Sequence, residues 1–124
     1  MTPPRVLVVD DNSAVRDVWC DTLSLLGYEV MPAEDGPTAL AHFDTAAYDL
    51  VLTDLLMPGM SGWQLAEAIR RRATTPVVLI TGSASPDEVA LARAQGLTML
   101  QKPVHLADLR RVIQQALGTR PAMS

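Results

Sequence analysis

The sequence predicts a three-layer α/β domain, a doubly wound parallel sheet of five strands with helices on both faces. Three observations carry that prediction. Short apolar runs, too rich in Val, Ile and Leu and too brief for helices, recur at 5–9, 28–31, 50–54, 77–80 and 97–100. A stretch with helical spacing of apolar residues follows each run. The connections between them are short, so the runs fit parallel strands joined by right-handed crossovers.

The first strand, 5–9 (RVLVV), ends at Asp10 and Asp11. Asn12 or Ser13 then caps a helix whose apolar stripe is Val15, Val18, Trp19, Thr22, Leu23 and Leu26, with Gly27 stopping it. The second strand, 28–31, leads through Glu34, Asp35, Gly36 and Pro37 into a helix over 38–43. Leu50, Val51 and Leu52 begin the third strand, which ends at Asp54 before Pro58 and Gly59 turn the chain. Ser61 and Gly62 open a helix over 63–72 with Leu65, Ala66 and Ile69 inward, its basic end Arg70–Arg72 reading as a solvated helix terminus. Pro76 opens the fourth strand, which ends at Thr81 and Gly82. Ser85, Pro86 and Glu88 are a cap, a first-turn proline and a capping-box glutamate for a helix reaching Gln95 and stopping at Gly96. The fifth strand, 97–100, ends at Gln101, Lys102 and Pro103. Leu106, Leu109, Val112, Ile113, Ala116 and Leu117 mark a last helix closed by Gly118.

The 124 residues fit a single domain over 1–124, with a core at 5–118 and a tail at 119–124. Hydrophobic residues make up 48% and aromatics only 4%, so the core is expected to be aliphatic. The apolar runs are far shorter than a membrane span, the start carries no targeting pattern, and the lone Cys20 has no disulfide partner. A cytoplasmic location is expected. The net charge of −4 argues against direct nucleic-acid binding.

In such folds ligands bind where the strands run into their helices. The first strand offers Asp10 and Asp11 there, the third Asp54, the fourth Thr81 and the fifth Lys102. The second offers nothing, and the strand order 2-1-3-4-5 places it at the edge. Carboxylates on neighbouring strands, about 5 Å apart per strand step, repel each other unless a cation intervenes. An oxygen-seeking Mg²⁺ suits that set. Lys102 adds a point charge and Thr81 a hydroxyl, which together suit a phosphoryl group. His42 and His105 fall in or beside helices and form no catalytic arrangement.

The runs VLVVDDN and DLVLTDLLMPGMSG, the strand end at Thr81 and the QKP at Lys102 resemble the receiver domain of two-component response regulators. The wording is closest to receivers of hybrid histidine kinases or single-domain response regulators. The resemblance spans essentially the whole chain and implies a flavodoxin-like (βα)5 fold. It implies that Asp54 accepts a phosphoryl group from the phosphohistidine of a histidine kinase or a histidine phosphotransfer protein. Asp11, Asp54 and the Leu56 backbone carbonyl would bind Mg²⁺, with Mn²⁺ as an alternative, and Asp10 would help partly through water. Thr81 and Lys102 would bind the phosphate, and the Lys102–Pro103 peptide would be cis. Leu56 and Ser83, each two residues past Asp54 and Thr81, would control dephosphorylation.

The domain would then be a signalling switch, catalysing only its own phosphorylation and dephosphorylation. It would contact a downstream protein through its 86–117 surface, where Arg93, Gln95, Arg110, Arg111, Gln114 and Gln115 fall, as a monomer or a phosphorylation-dependent dimer. No output domain follows Gly118 in this sequence. Many receivers carry Tyr or Phe three residues before the lysine; Met99 stands there instead. A rival reading is a phosphorylation-independent interaction module on the same fold. An aspartyl phosphohydrolase would want an acid at Leu56, and a nucleotide or flavin binder a Gly-rich or Ser/Thr-rich loop after the first strand. Neither is present.

Overall fold

The computed structural model describes residues 3–117. Gly118, expected to close the last helix, and the 119–124 tail lie outside the described residues. Strands and helices alternate as β1 (Arg5–Val9), α1 (Ser13–Leu25), β2 (Glu29–Ala33), α2 (Gly36–Thr45), β3 (Leu50–Asp54), α3 (Gly62–Arg70), β4 (Val77–Thr81), α4 (Pro86–Ala94), β5 (Thr98–Gln101) and α5 (Leu106–Leu117). All pairings are parallel, in the order β2-β1-β3-β4-β5 that the sequence predicts.

Successive strand residues point to opposite faces, and both faces are covered. Val6, Val8, Leu50, Leu52, Val78 and Ile80 pack with Leu23 of α1 and Leu109, Val112 and Ile113 of α5. Leu7, Val9, Val51 and Leu79 face the other way, onto Ala39 of α2, Leu65, Ala66 and Ile69 of α3, and Ala92 of α4. Burial on both faces explains why these strands are unbroken apolar runs.

The helix starts are held by side-chain caps. Asn12, not Ser13, caps α1, its Oδ1 accepting from the Val15 N–H at 3.1 Å. Asp35 caps α2 through the Thr38 N–H at 2.8 Å. Ser61 with Gln64, and Ser85 with Glu88, form complete capping boxes on α3 and α4.

Several boundaries differ from the sequence expectation. β2 runs on to Ala33 and contains Pro32. The Glu29 N–H donates to the Pro4 carbonyl and the Ala33 carbonyl accepts from the Asp10 N–H, so the odd positions of β2 face β1. The nitrogen of Pro32 therefore faces the open edge, where its missing N–H breaks no ladder. α2 begins at Gly36, because Gly36 and Pro37 fit the first turn behind the Asp35 cap, and it continues to Thr45. α3 stops at Arg70. Leu97 is not part of β5: its N–H closes the turn after α4 on the Ala92 carbonyl at 2.8 Å. Val18, expected on the buried stripe of α1, is 63% exposed. It borders an open apolar groove with Trp19, Pro103, Val104 and Leu106 that no helix covers among the described residues.

Candidate functional site

The parallel order sets the C-terminal ends of β1, β3, β4 and β5 side by side. Asp10 follows β1, Asp54 ends β3, Thr81 ends β4 and Lys102 follows β5. One carboxylate oxygen each of Asp10, Asp11 and Asp54 lies within 4.8 Å of the others. Asp10 is buried and its Oδ1 accepts from the Asn12 N–H at 2.9 Å, while Asp11 is exposed. Lys102 Nζ approaches Asp54 Oδ1 at 3.4 Å. Burial and the neighbouring Asp10 and Asp11 push the Asp54 carboxyl above the usual carboxylate range, against the lowering effect of Lys102.

This donor set fits a hard divalent cation. It offers oxygen ligands only, from three closely spaced carboxylates whose mutual repulsion a cation would relieve.

Thr81 is buried, and its hydroxyl is turned onto Ser83. Oγ1 donates to the Ser83 carbonyl at 3.1 Å and accepts from the Ser83 N–H at 3.2 Å. The structure thus brings Asp10, Asp11, Asp54 and Lys102 together, with Thr81 one strand away. Leu56 and Ser83 are exposed at the rim. Met99 lies below the rim, half-buried against the core that contains Leu79 and Ala92. The Lys102–Pro103 peptide is cis.

The turn that carries Leu56 is clamped at both ends. The Leu55 N–H donates to the Ile80 carbonyl at 2.7 Å, and the Leu55 carbonyl accepts from the Gly62 N–H at 2.8 Å. A Cβ at Gly62 would stand 2.6 Å from the Asp54 carbonyl oxygen and 2.9 Å from Leu55 Cα, so only glycine lets α3 start this close to the site.

Arg16 also belongs to this neighbourhood and was not anticipated. It donates from its guanidinium to the Asp10 backbone carbonyl at 2.7 Å. On a helix an arginine reads as a solvated residue; the available signal was its position one turn after Asn12, on the side that faces back toward the acidic pair.

The response regulator receiver domain family matches residues 6–114, the span that contains every strand end described above. The chain belongs to that family. The receiver domain is 35% identical to the sensor histidine kinase AruS of Pseudomonas aeruginosa over 99% of its own length and 14% of the kinase. It is 42% identical to the sensory transduction protein RegX3 of Mycobacterium tuberculosis over 61% of its length and 34% of that protein. The chain therefore spans a minor part of these relatives. Among solved structures, the chemotaxis protein CheY4 of Vibrio cholerae superposes with a TM-score of 0.87 at 34% identity, covering 94% of this chain and 100% of CheY4. Receiver domains are signalling switches that partner with histidine kinases or phosphotransfer proteins and bind Mg²⁺ at an acidic pocket. No helix among the described residues is long and apolar enough to cross a membrane.

Proposed function

We propose that this receiver domain accepts a phosphoryl group on Asp54 from the phosphohistidine of a histidine kinase or a histidine phosphotransfer protein. One observation carries the reading: Asp54 is the carboxylate that stands beside two further carboxylates and a lysine at once.

An Asp54 carboxylate oxygen attacks the phosphorus, and the P–N bond of the donor breaks with its electron pair remaining on the imidazole. The new P–O bond makes an acyl phosphate. In the separate dephosphorylation step water attacks phosphorus, the acyl P–O bond breaks, phosphate leaves with the protons of the water, and Asp54 returns as a carboxylate. Asp11, Asp54 and the Leu56 carbonyl would hold Mg²⁺ or Mn²⁺, with Asp10 reaching it partly through water. When bound, the cation neutralises charge on the transferring oxygens.

Lys102 is placed to exchange its ion pair with Asp54 for one with the phosphoryl oxygens. Thr81 must give up its turn with Ser83 to donate to the same group. That movement at the ends of β4 and β5 would pass to the surface formed by α4, β5 and α5, where a downstream protein would dock, with Met99 in place of an aromatic. Leu56 and Ser83 would set water access. The reading places the chain in the cytoplasm.

The test is intact mass after acetyl phosphate with Mg²⁺. A gain of one phosphoryl group, absent in Asp54→Asn and in EDTA, is expected. No gain from acetyl phosphate and none from a phosphorylated kinase domain would overturn the proposal in favour of a phosphorylation-independent interaction module.

A further inference from the structure

We infer that Arg16 is a positioning residue for the acidic pair, aiming Asp11 by gripping the peptide that joins it to Asp10. The inference rests on the metal-binding part of the proposed function. Arg16 lies in the first turns of α1, yet its guanidinium folds back past the start of the helix to the Asp10 carbonyl, at 2.7 Å. A helix N-terminus is an unfavourable place for a cation. The short charge-assisted bond, and the acidic cluster it adjoins, offset that placement.

The surrounding bonds show what the grip achieves. The Asp10 N–H is tied to the Ala33 carbonyl at 3.1 Å, and the Asp10 carboxylate holds the Asn12 N–H at 2.9 Å. The Arg16 backbone N–H in turn donates to the Asn12 carbonyl at 2.9 Å. The side chain of Asp11 accepts no hydrogen bond among the described residues, and it is exposed. The direction in which its Cα–Cβ bond leaves the chain is therefore set by the two peptides that flank it. Asp10 secures the one on the Asn12 side, and Arg16 secures the one on the Asp10 side. A side chain that fixes a carboxylate ligand through its backbone acts as an outer-shell partner of the site.

The test is calorimetric titration of the unphosphorylated full chain with MgCl₂, comparing wild type with Arg16→Met, Arg16→Gln and Arg16→Lys. Arg16→Gln keeps a hydrogen-bonding head and covers the case in which Arg16→Met does not fold, which melting curves in EDTA would show. Positioning predicts Mg²⁺ binding about tenfold weaker in the Met and Gln variants, with Lys between them and wild type. The opposite sign is expected if Arg16 acts only through its field, because removing a positive charge beside a cation site tightens binding. A folded Met or Gln variant that binds Mg²⁺ within about twofold of wild type, or more tightly, overturns the inference alone. Absence of Mg²⁺ binding by wild type overturns the metal reading and this inference with it.

Discussion

Lys102 Nζ stands 3.4 Å from Asp54 Oδ1, near enough to pair but longer than a tight charge-assisted hydrogen bond. The lysine partly offsets the repulsion of Asp54 by Asp10 and Asp11 without being locked to it. Such a loose pair is suited to exchange for a bond to a group that arrives on the same carboxylate. Lys102→Met is expected to slow phosphorylation by acetyl phosphate about 100-fold, the scale of losing one oriented charge donor. Mass spectrometry over a time course measures this; a rate near that of wild type would remove Lys102 from the reaction.

Asp54 also makes stability depend on pH. Its folded-state pKa is raised, so between the ordinary carboxylate value and the raised one the native state holds more proton than the unfolded state. Stability therefore falls as pH rises through that window, and the full deficit remains at neutral pH. Without divalent metal, Asp54→Asn should melt at a higher temperature than wild type at pH 7, and the gap should close at pH values below the ordinary carboxylate pKa. Added Mg²⁺ should narrow or reverse the gap by binding only the native wild type. Parallel melting curves that stay equally spaced across pH would contradict this.

Gly62 sets how closely α3 approaches the strand end. In Gly62→Ala the new methyl would meet backbone atoms of Asp54 and Leu55, which have less room to yield than a side chain tip. The expected cost is about 1–3 kcal/mol of stability, read from urea unfolding. Phosphorylation should slow as well, because the displaced backbone carries Asp54 and the turn to Leu56. An alanine variant as stable as wild type would mean that α3 can retreat freely.

α4 is the most lightly anchored helix of the 86–117 surface: Ala92 is its only buried residue, whereas α5 buries Leu109, Val112, Ile113 and Leu117. Its start depends on the Ser85–Glu88 capping box. Amide exchange should be faster in α4 than in α3 or α5. Ser85→Ala should cost about 1 kcal/mol and accelerate α4 exchange further. Uniform protection across the three helices would mean that α4 is held as firmly as its neighbours despite its single buried residue.

Leu56 is 72% exposed at the rim beside Asp54. If Asp54 carries the phosphoryl group as proposed, a bulky apolar side chain there would obstruct the approach of water without offering it a hydrogen bond. Leu56→Asn should shorten the phosphorylated lifetime several-fold, followed as loss of the phosphoryl mass after the donor is removed. An unchanged lifetime would free Leu56 of that role.

The five strand-helix units and the residues at the strand ends were legible because each rests on a local signal, and the strand order followed from the common doubly wound pattern that such alternation implies. Examples of such signals are the continuous apolar run of β4, the Ser85-Pro86-Glu88 start of α4, and an aspartate at the tip of an apolar strand. What was illegible depends on tertiary neighbours. Pro32 reads as a strand stop until β2 is known to be an edge whose even positions face outward. Val18 and Leu23 lie at opposite flanks of one broad apolar stripe, roughly 140° apart around the helix, and only the Leu23 flank turns into the core. Arg16 has a backbone partner, and side-chain patterning says nothing of backbone partners. The close approach at Gly62 is likewise a matter of backbone against backbone.

The proline in β2 bears on how copies of this domain can meet. An exposed strand normally presents a row of donors and acceptors on which a strand from another chain can assemble. At Pro32 that row is interrupted midway, so sheet extension across the β2 edge is disfavoured at any concentration. Of the two edges of the sheet, only β5 is then left with an uninterrupted row of backbone groups, and the remaining surfaces on which copies could meet are helix faces and loops.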